Sequence, residues 1–278
     1  MSVVITDFYY SNTQSNVLRE KHAHNTYQLI FVQEGEMTIK IAGKEVECTA
    51  PALVFVGNCE PHAITSVSEN YKRYVLTLNP SSVSAYVKPE VLQSIFFIRQ
   101  EGFSHCISIA PIVDEIQGLF DMLYAEYNLP SDEKLLEGEL LLLSTLLYRV
   151  MQFSPAHFSA RKVTSAEKIV LSIRSKLEGS FEQKLNLDEL ASQHYVSRYY
   201  LAHIFKQLTG YSLKEYMMLC RISYACQELA NNQRPIQEIA ESSGFHDTSN
   251  FLRAFKKMIG VSPSEFRRQN SADENADF

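Results

Sequence analysis

The stretch Phe205–Tyr216 reads FKQLTGYSLKEY, and fifty residues later Phe255–Phe266 reads FKKMIGVSPSEF. Working outward, the two copies extend to LDELASQHYVSRYYLAHIFKQLTGYSLKEY from Leu187 and IQEIAESSGFHDTSNFLRAFKKMIGVSPSEF from Ile236. The offset is 49 over the first segment (Leu187/Ile236, Leu190/Ile239, Ala191/Ala240) and 50 over the second (Leu201/Phe251, Phe205/Phe255, Gly210/Gly260). One extra residue therefore sits between the segments of the second copy, as a length change confined to a turn.

Each copy predicts a helix, a short turn and a helix. Asn186-x-x-Glu189 opens the first helix, which stops near His194. Ser197 caps a second helix that ends at Gly210. In the other copy Asp247 takes the cap and Gly260 the stop. Capping boxes follow at Ser212-x-x-Glu215 and Ser262-x-x-Glu265, with Pro263 in a first helical turn. Small Ala191 and Ala240 stand where the crossing helices come closest. Leu201, Ile204, Phe205 and Leu208 share one face, as do Phe251, Ala254, Phe255 and Met258. A short helix, a tight turn and a second helix with a polar outer face is the helix-turn-helix DNA reader. The run Leu213–Ala230 between the copies predicts a helix of 18 residues, about 27 Å long. Successive major-groove faces on one side of B-DNA lie about 34 Å apart. One rigid helix can thus hold two readers near that separation, with DNA bending taking up the mismatch.

Residues 165–268 resemble the DNA-binding domain of the AraC/XylS family of bacterial transcription regulators, and GFHDTSNFLRAFKKMIGVSPSEFR is similar to that family's signature over its whole length. The resemblance implies base-facing positions at Arg198, Tyr199, Ala202 and His203 in the first reader, and at Thr248, Ser249, Asn250 and Arg253 in the second. Arg253 suits a bidentate contact to guanine; Asn250 suits an adenine edge or a phosphate. Lys206, Lys256 and Lys257 read as phosphate contacts. The family often carries arginine where His203 stands, and Ala202 offers only a methyl group, so the first reader discriminates differently. Each of these positions also fits an ordinary solvated helix face.

Charge divides the chain in the same place. The net charge is −6, but residues 1–160 carry −8, residues 161–270 carry +5 and the tail SADENADF carries −3. A polyanion partner for the second half and chance clustering of solvated charges both fit that asymmetry. The opening MSVVITDFYY has no basic start followed by an apolar run, and LLEGELLLLSTLLYRVM is broken by charges, so the expectation is a cytoplasmic protein with no membrane span. Five cysteines, odd in number and without a CxxC pair, read as reduced thiols rather than a zinc site.

The first ~110 residues read as β structure. QLIFVQEGEMTIKIAGKEVE holds two short runs broken at EGE and AGK, and ALVFV and RYVLTL are further strands. That pattern suggests a barrel or sandwich. From Pro111 the period changes: Ile112, Ile116, Leu119, Leu123 and Tyr127 mark one helix, and a second runs from about Asp132 to Met151. Its leucines are wide enough for packing within the domain, for a dimer contact, or for both. MQFSPAHFSARKVTS reads as a linker, after which Thr164-x-x-Glu167 caps the next helix. The expected fold is α+β: a cupin-like β-barrel with a helical dimerisation hairpin (1–152), a linker (153–164), a double helix-turn-helix domain (165–270) and an acidic tail (271–278).

EKHAHNTYQLIFVQEG places His22 and His24 two apart and then Gln28, and CEPHAI adds His62. Alternate residues on a strand share a side. The set resembles the cupin pattern, in which two histidines, a glutamate and a later histidine hold a metal. Gln28 stands at the glutamate, and a neutral amide is a poor ligand for a hard divalent ion. Three readings stand: a small-molecule effector site built on His22, His24, Gln28, His62 and Tyr10; structural histidines; or a metal-dependent cupin sensor or enzyme. Strand parity turns Tyr27 away from Gln28. The family resemblance points to the first reading, with a sugar as effector and no cofactor or metal. It implies a homodimeric, non-enzymatic activator that binds operator DNA and contacts RNA polymerase.

Overall fold

The computed structural model describes residues 4–12, 24–96, 98, 103–130, 135–155, 158, 163–231 and 233–273. His22 and the last five residues of the acidic tail lie outside them. The described residues fall into two compact units. One is drawn from Met1–Arg19, Thr26–Asn58 and Ala63–Lys168, the other from Glu20–Asn25, Cys59–His62 and Ile169–Phe278.

The first unit is built on strands β1 (Ile5–Ser11), β2 (Tyr27–Glu34), β3 (Glu36–Ile41), β4 (Lys44–Thr49), β5 (Ala52–Val56), β6 (His62–Val67), β7 (Lys72–Leu78) and β8 (Cys106–Ser108). They form a five-stranded sheet in the order β1-β7-β2-β5-β8 and a three-stranded sheet in the order β4-β3-β6. Gly35 and Gly43 punctuate the β2–β3 and β3–β4 connections at φ 81° and 85°, where the EGE and AGK breaks fall in the sequence. The ALVFV run is β5 itself, buried at all five positions.

The parity of β2 and β7 sorts two cores. Ile30, Val32, Tyr71 and Val75 join Met37, Ile39, Ile41 and Cys48 in a core between the sheets. Leu29, Phe31, Tyr74, Leu76 and Leu78 face the other way, onto the helices α2 (Val113–Tyr127) and α3 (Leu136–Phe153). In α3, Leu143, Leu146, Leu147 and Val150 are fully buried there, with Leu140 and Leu142 packed beside them. Leu141 is 70% exposed. Most of the leucine surface is thus consumed inside the domain. The strands β6 and β8 and three further elements were not named from the sequence. The three are β1, the helix α1 (Pro80–Tyr86), which Asn79 caps through Ser82 N, and the 3-10 turn Glu90–Phe96. Pro111 lies in a 3-10 turn, Ala110–Ile112, just ahead of α2.

The second unit is helical: α4 (Ser165–Gly179), α5 (Leu187–Gln193), α6 (Arg198–Thr209), α7 (Leu213–Asn231), α8 (Ile236–Ser242), α9 (Thr248–Ile259) and α10 (Pro263–Asp273). The Thr164 box forms as the spacing predicts. Thr164 N donates to Glu167 Oε2 at 2.6 Å, and Glu167 N to Thr164 Oγ1 at 3.2 Å. The core of the second copy gathers Ile239, Ala240, Phe245, Phe251, Phe255, Ile259 and Phe266 onto Ile222, Ala225, Cys226 and Leu229 of α7. The chain is therefore an α+β protein of two domains, a sheet domain followed by a helical one.

Candidate nucleic-acid interface

The two helix-turn-helix units close their turns, and start and end their outer helices, with matching bonds. In the first turn Val196 N donates to Ala191 O at 3.1 Å; in the second Phe245 N donates to Ala240 O at 3.0 Å. Each bond closes over one left-handed residue, Tyr195 at φ 55° and Gly244 at φ 81°. The extra residue of the second copy is His246, between that closure and the cap. Ser197 Oγ accepts from Tyr200 N at 3.1 Å and Asp247 Oδ1 from Asn250 N at 2.8 Å, which starts the outer helices α6 and α9. Gly210 and Gly260 end them in the left-handed region, and their N–H groups donate to Lys206 O and Lys256 O at 2.9 Å. Ala191 and Ala240 are buried, as are Phe205 and Phe255.

The opposite faces of α6 and α9 lie open. Arg198, Tyr199, Ala202, His203 and Lys206 are exposed along α6. Ser249, Asn250, Arg253, Lys256 and Lys257 are exposed along α9, with Thr248 half-buried at its start. The two faces differ in chemistry. On α9, Arg253 Nη2 donates to Asn250 Oδ1 at 2.6 Å, which couples two of the exposed side chains. On α6, Arg198 lies 3.6 Å from Asp188, an exposed and therefore weak pair. Tyr199 stacks along His203, with ring centroids 6.4 Å apart and planes 7° apart. The sequence reading passed over Tyr195. It is 97% exposed and holds a backbone conformation that a β-carbon disfavours. Its alignment with Gly244 was the available signal.

Behind the first reader lies a buried polar group that the second lacks. Arg174 Nε donates to Tyr216 Oη at 3.0 Å and Nη2 to Glu178 Oε1 at 3.0 Å, and Tyr216 Oη also donates to Glu178. Burial pushes the Tyr216 phenol well up. Phe266 takes the Tyr216 position in the second copy. Both capping boxes after the readers are closed: Ser212 N donates to Glu215 Oε2 at 2.7 Å and Ser262 N to Glu265 Oε2 at 2.8 Å. These serine contacts hold both carboxyls below the usual carboxylate range. Between the readers, α7 has 19 residues, about 28 Å.

Of the residues expected around an effector, Tyr10 and Gln28 lie on opposite sides of the five-stranded sheet. Gln28 is half-buried on β2, with the parity of Ile30 and Val32 that line the core between the sheets. Tyr10 has the opposite parity on β1. Its ring packs 5.0 Å from Tyr74, which belongs to the helix-facing core, so alternation separates it from the Gln28 face. Tyr27 stacks on Phe96, also away from Gln28. His24 and His62 come together in the other unit with centroids 4.9 Å apart, and His62 Nδ1 lies 2.9 Å from Glu60 O. Among the described residues no three His, Cys, Asp or Glu side chains converge as metal ligands. No described helix is long and apolar enough to cross a membrane.

Comparison with known proteins places both halves. Residues 7–150 match the family of the AraC-like ligand binding domain, and residues 190–269 match a helix-turn-helix domain. The chain is 24% identical to the raffinose operon transcriptional regulatory protein RafR of Pediococcus pentosaceus over 252 residues, 89% of this chain and 86% of that protein. It is 32% identical to the Msm operon regulatory protein of Streptococcus mutans over 138 residues, half of this chain. The chain spans only 49% of the Msm protein's length, and 24% of another curated relative. In fold it is similar to ToxT of Vibrio cholerae, with TM-score 0.61 and 16% identity over 96% of this chain and 98% of that one.

Proposed function

The chain belongs to the AraC family of transcription regulators, and from that membership we propose that it is a sequence-specific activator whose two helix-turn-helix units read successive major grooves under the control of a small-molecule effector. The observation that carries the reading is the pair of turns closed by the same hydrogen bond, with open polar faces on α6 and α9, joined by one helix. Arg198, Tyr199, Ala202 and His203, and Thr248, Ser249, Asn250 and Arg253, face the bases in this account. Lys206, Lys256 and Lys257 take phosphates. The domain layout we infer is a sensor over 1–152, a linker over 153–164, the DNA reader over 165–270 and an acidic tail over 271–278.

The AraC-like ligand binding domain supplies the effector site. The RafR relative, a raffinose operon regulator, favours a carbohydrate. Homodimers form through exposed parts of α2 and α3 such as Met122, Leu141 and Tyr148, so that two copies engage two half-sites and RNA polymerase is contacted from the bound complex. An effector shifts this system only by its differential affinity for the two DNA-binding states.

Selection of bound fragments from bacterial genomic DNA by the full-length protein, followed by titration at two salt concentrations, tests the reading. A reader with about 6–10 phosphate contacts loses roughly 10³–10⁵-fold in affinity between 50 and 200 mM salt. Recovery of a shared sequence motif with that salt dependence is the expected result. Binding without sequence preference, or binding insensitive to salt, sinks the proposal.

A further inference from the structure

Arg73 sits in β7 and is only 5% exposed. It has the parity of Tyr71 and Val75, which places it in the core between the two sheets, opposite Val32 of β2 and Ser11 of β1. Its guanidinium lies 5.9 Å from the Tyr9 ring centroid and 5.3 Å from the Tyr71 ring. Such contacts offset part of the cost of burying a cation. They leave two of its three nitrogens unanswered: Nε and Nη1 have no hydrogen-bond partner among the described residues, and no carboxylate there forms an ion pair with Arg73. Tyr71 cannot serve as the counter-charge, because burial pushes its phenol up to about 12 even with Arg73 pulling the other way.

Arg174 shows what this chain does with an arginine that is purely structural. It is buried to 3% and is matched by Glu178 at 3.0 Å and by the Tyr216 hydroxyl. Arginine cannot escape burial by losing its proton. A buried guanidinium without an anion is among the costliest groups a core can hold, and one that receives an anion makes strong charge-assisted hydrogen bonds.

We propose that Arg73 is the anchor of the sheet domain's ligand site, and that the effector is a small organic anion whose carboxylate or phosphate accepts hydrogen bonds from Arg73 between the Tyr9 and Tyr71 rings. This rests on the effector control proposed above and narrows it. A carbohydrate effector becomes a sugar acid or a sugar phosphate, bound on the inter-sheet face that also carries Gln28.

The test is thermal unfolding of the full-length protein and of Arg73→Met and Arg73→Lys, at matched ionic strength. Glucuronate forms the carboxylate arm, glucose phosphate and inorganic phosphate the phosphate arm, and glucose and raffinose the neutral arm. At least one anion raises the unfolding temperature of the native protein saturably, and its arm identifies the group. The shift is lost in Arg73→Met and weakened in Arg73→Lys, which keeps the charge without the planar donor fork. Without ligand, Arg73→Met unfolds at the same or a higher temperature, since an unmatched charge has been removed. A large fall in that temperature marks Arg73 as structural and overturns the proposal. So does an anion shift that survives in Arg73→Met, or no saturable shift with any anion. A neutral sugar that stabilises all three proteins alike removes the anion site and leaves effector control standing. An anion shift confined to the native protein, with no effect on DNA binding, keeps the site and removes effector control.

Discussion

The two helix-turn-helix units are one backbone carrying two chemistries. Their turns close with the same hydrogen bond, yet one holds Tyr195 where the other holds Gly244, and one helix presents a stacked Tyr199–His203 pair where the other presents Asn250–Arg253. Their foundations differ too: a buried Arg174–Glu178–Tyr216 group supports the first, and in the second Phe266 stands in the Tyr216 position within an apolar cluster. Duplication preserved what the fold needs, namely the small residue at the crossing, the cap and the left-handed turn. It left free what touches the solvent.

The sharpest way to separate the two foundations is Arg174→Met. It strands Glu178 in a site where its side chain is 7% exposed, and loss of one partner of a buried pair costs about 3–5 kcal/mol. Denaturant unfolding of the variant checks this. A cost below about 1 kcal/mol would mean that the two copies rest on equivalent supports. The turns come next. A β-carbon on Gly244 would lie 2.7 Å from Glu182 Cα, in a backbone already at φ 81°. Gly244→Ala should therefore cost about 3 kcal/mol, from left-handed strain and overpacking together. The matching change Tyr195→Gly relieves strain in the open and should gain about 1 kcal/mol at most. Equal effects in the two turns would erase the asymmetry.

The readers themselves are compared by anisotropy titration on a selected site. Arg253→Ala should lose about 1–3 kcal/mol and relax specificity at one base position. His203→Ala, which removes no fixed charge fork, should lose less. The smallest effect is in the caps: Ser212→Ala and Ser262→Ala should each cost about 1 kcal/mol by thermal unfolding. The sign with pH follows from the carboxyls. Glu215 and Glu265 are held below their ordinary value in the folded protein. Their contribution is complete above about pH 4.3, the unfolded value, and disappears as pH falls through the lowered folded value. The cost of the serine variants should shrink over that acidic range and hold steady from pH 5 to 7.

Local rules made much of the helical domain legible. Caps, boxes and glycine stops depend on residues three or four apart, and Thr164, Asn186, Ser197, Ser212, Asp247 and Ser262 make the bonds their spacing implies. The sheet domain was less legible. The apolar run QLIFVQE, broken at EGE, identified β2, and strand parity turned Tyr27 away from Gln28. The strand β1 and the helix α1 escaped because their residues carry weak local preference and are ordered by what they pack against. Tyr10 parted from Gln28 for a related reason. Parity along β1 put Tyr10 on the helix-facing side beside Tyr74, and parity is set by strand pairing, which sequence spacing alone does not supply.

The sequence by itself determined the repeat, the two readers, the helix between them and the family resemblance, because each is written in short-range periodicity and in one stretch read against another. Only the tertiary structure decided which polar groups are matched. Arg73 and Arg174 both stand within two residues of a lysine in runs of mixed character, YKRYV and SIRSK, and nothing in those runs marks either as buried. Folding brings Glu178 and Tyr216 to one of them and the faces of Tyr9 and Tyr71 to the other. Glu178 is only four residues from Arg174 on α4, but the burial of both arginines and the approach of Tyr216 to one and Tyr9 to the other depend on residues distant in the chain, and it is the unanswered charge that points to a ligand.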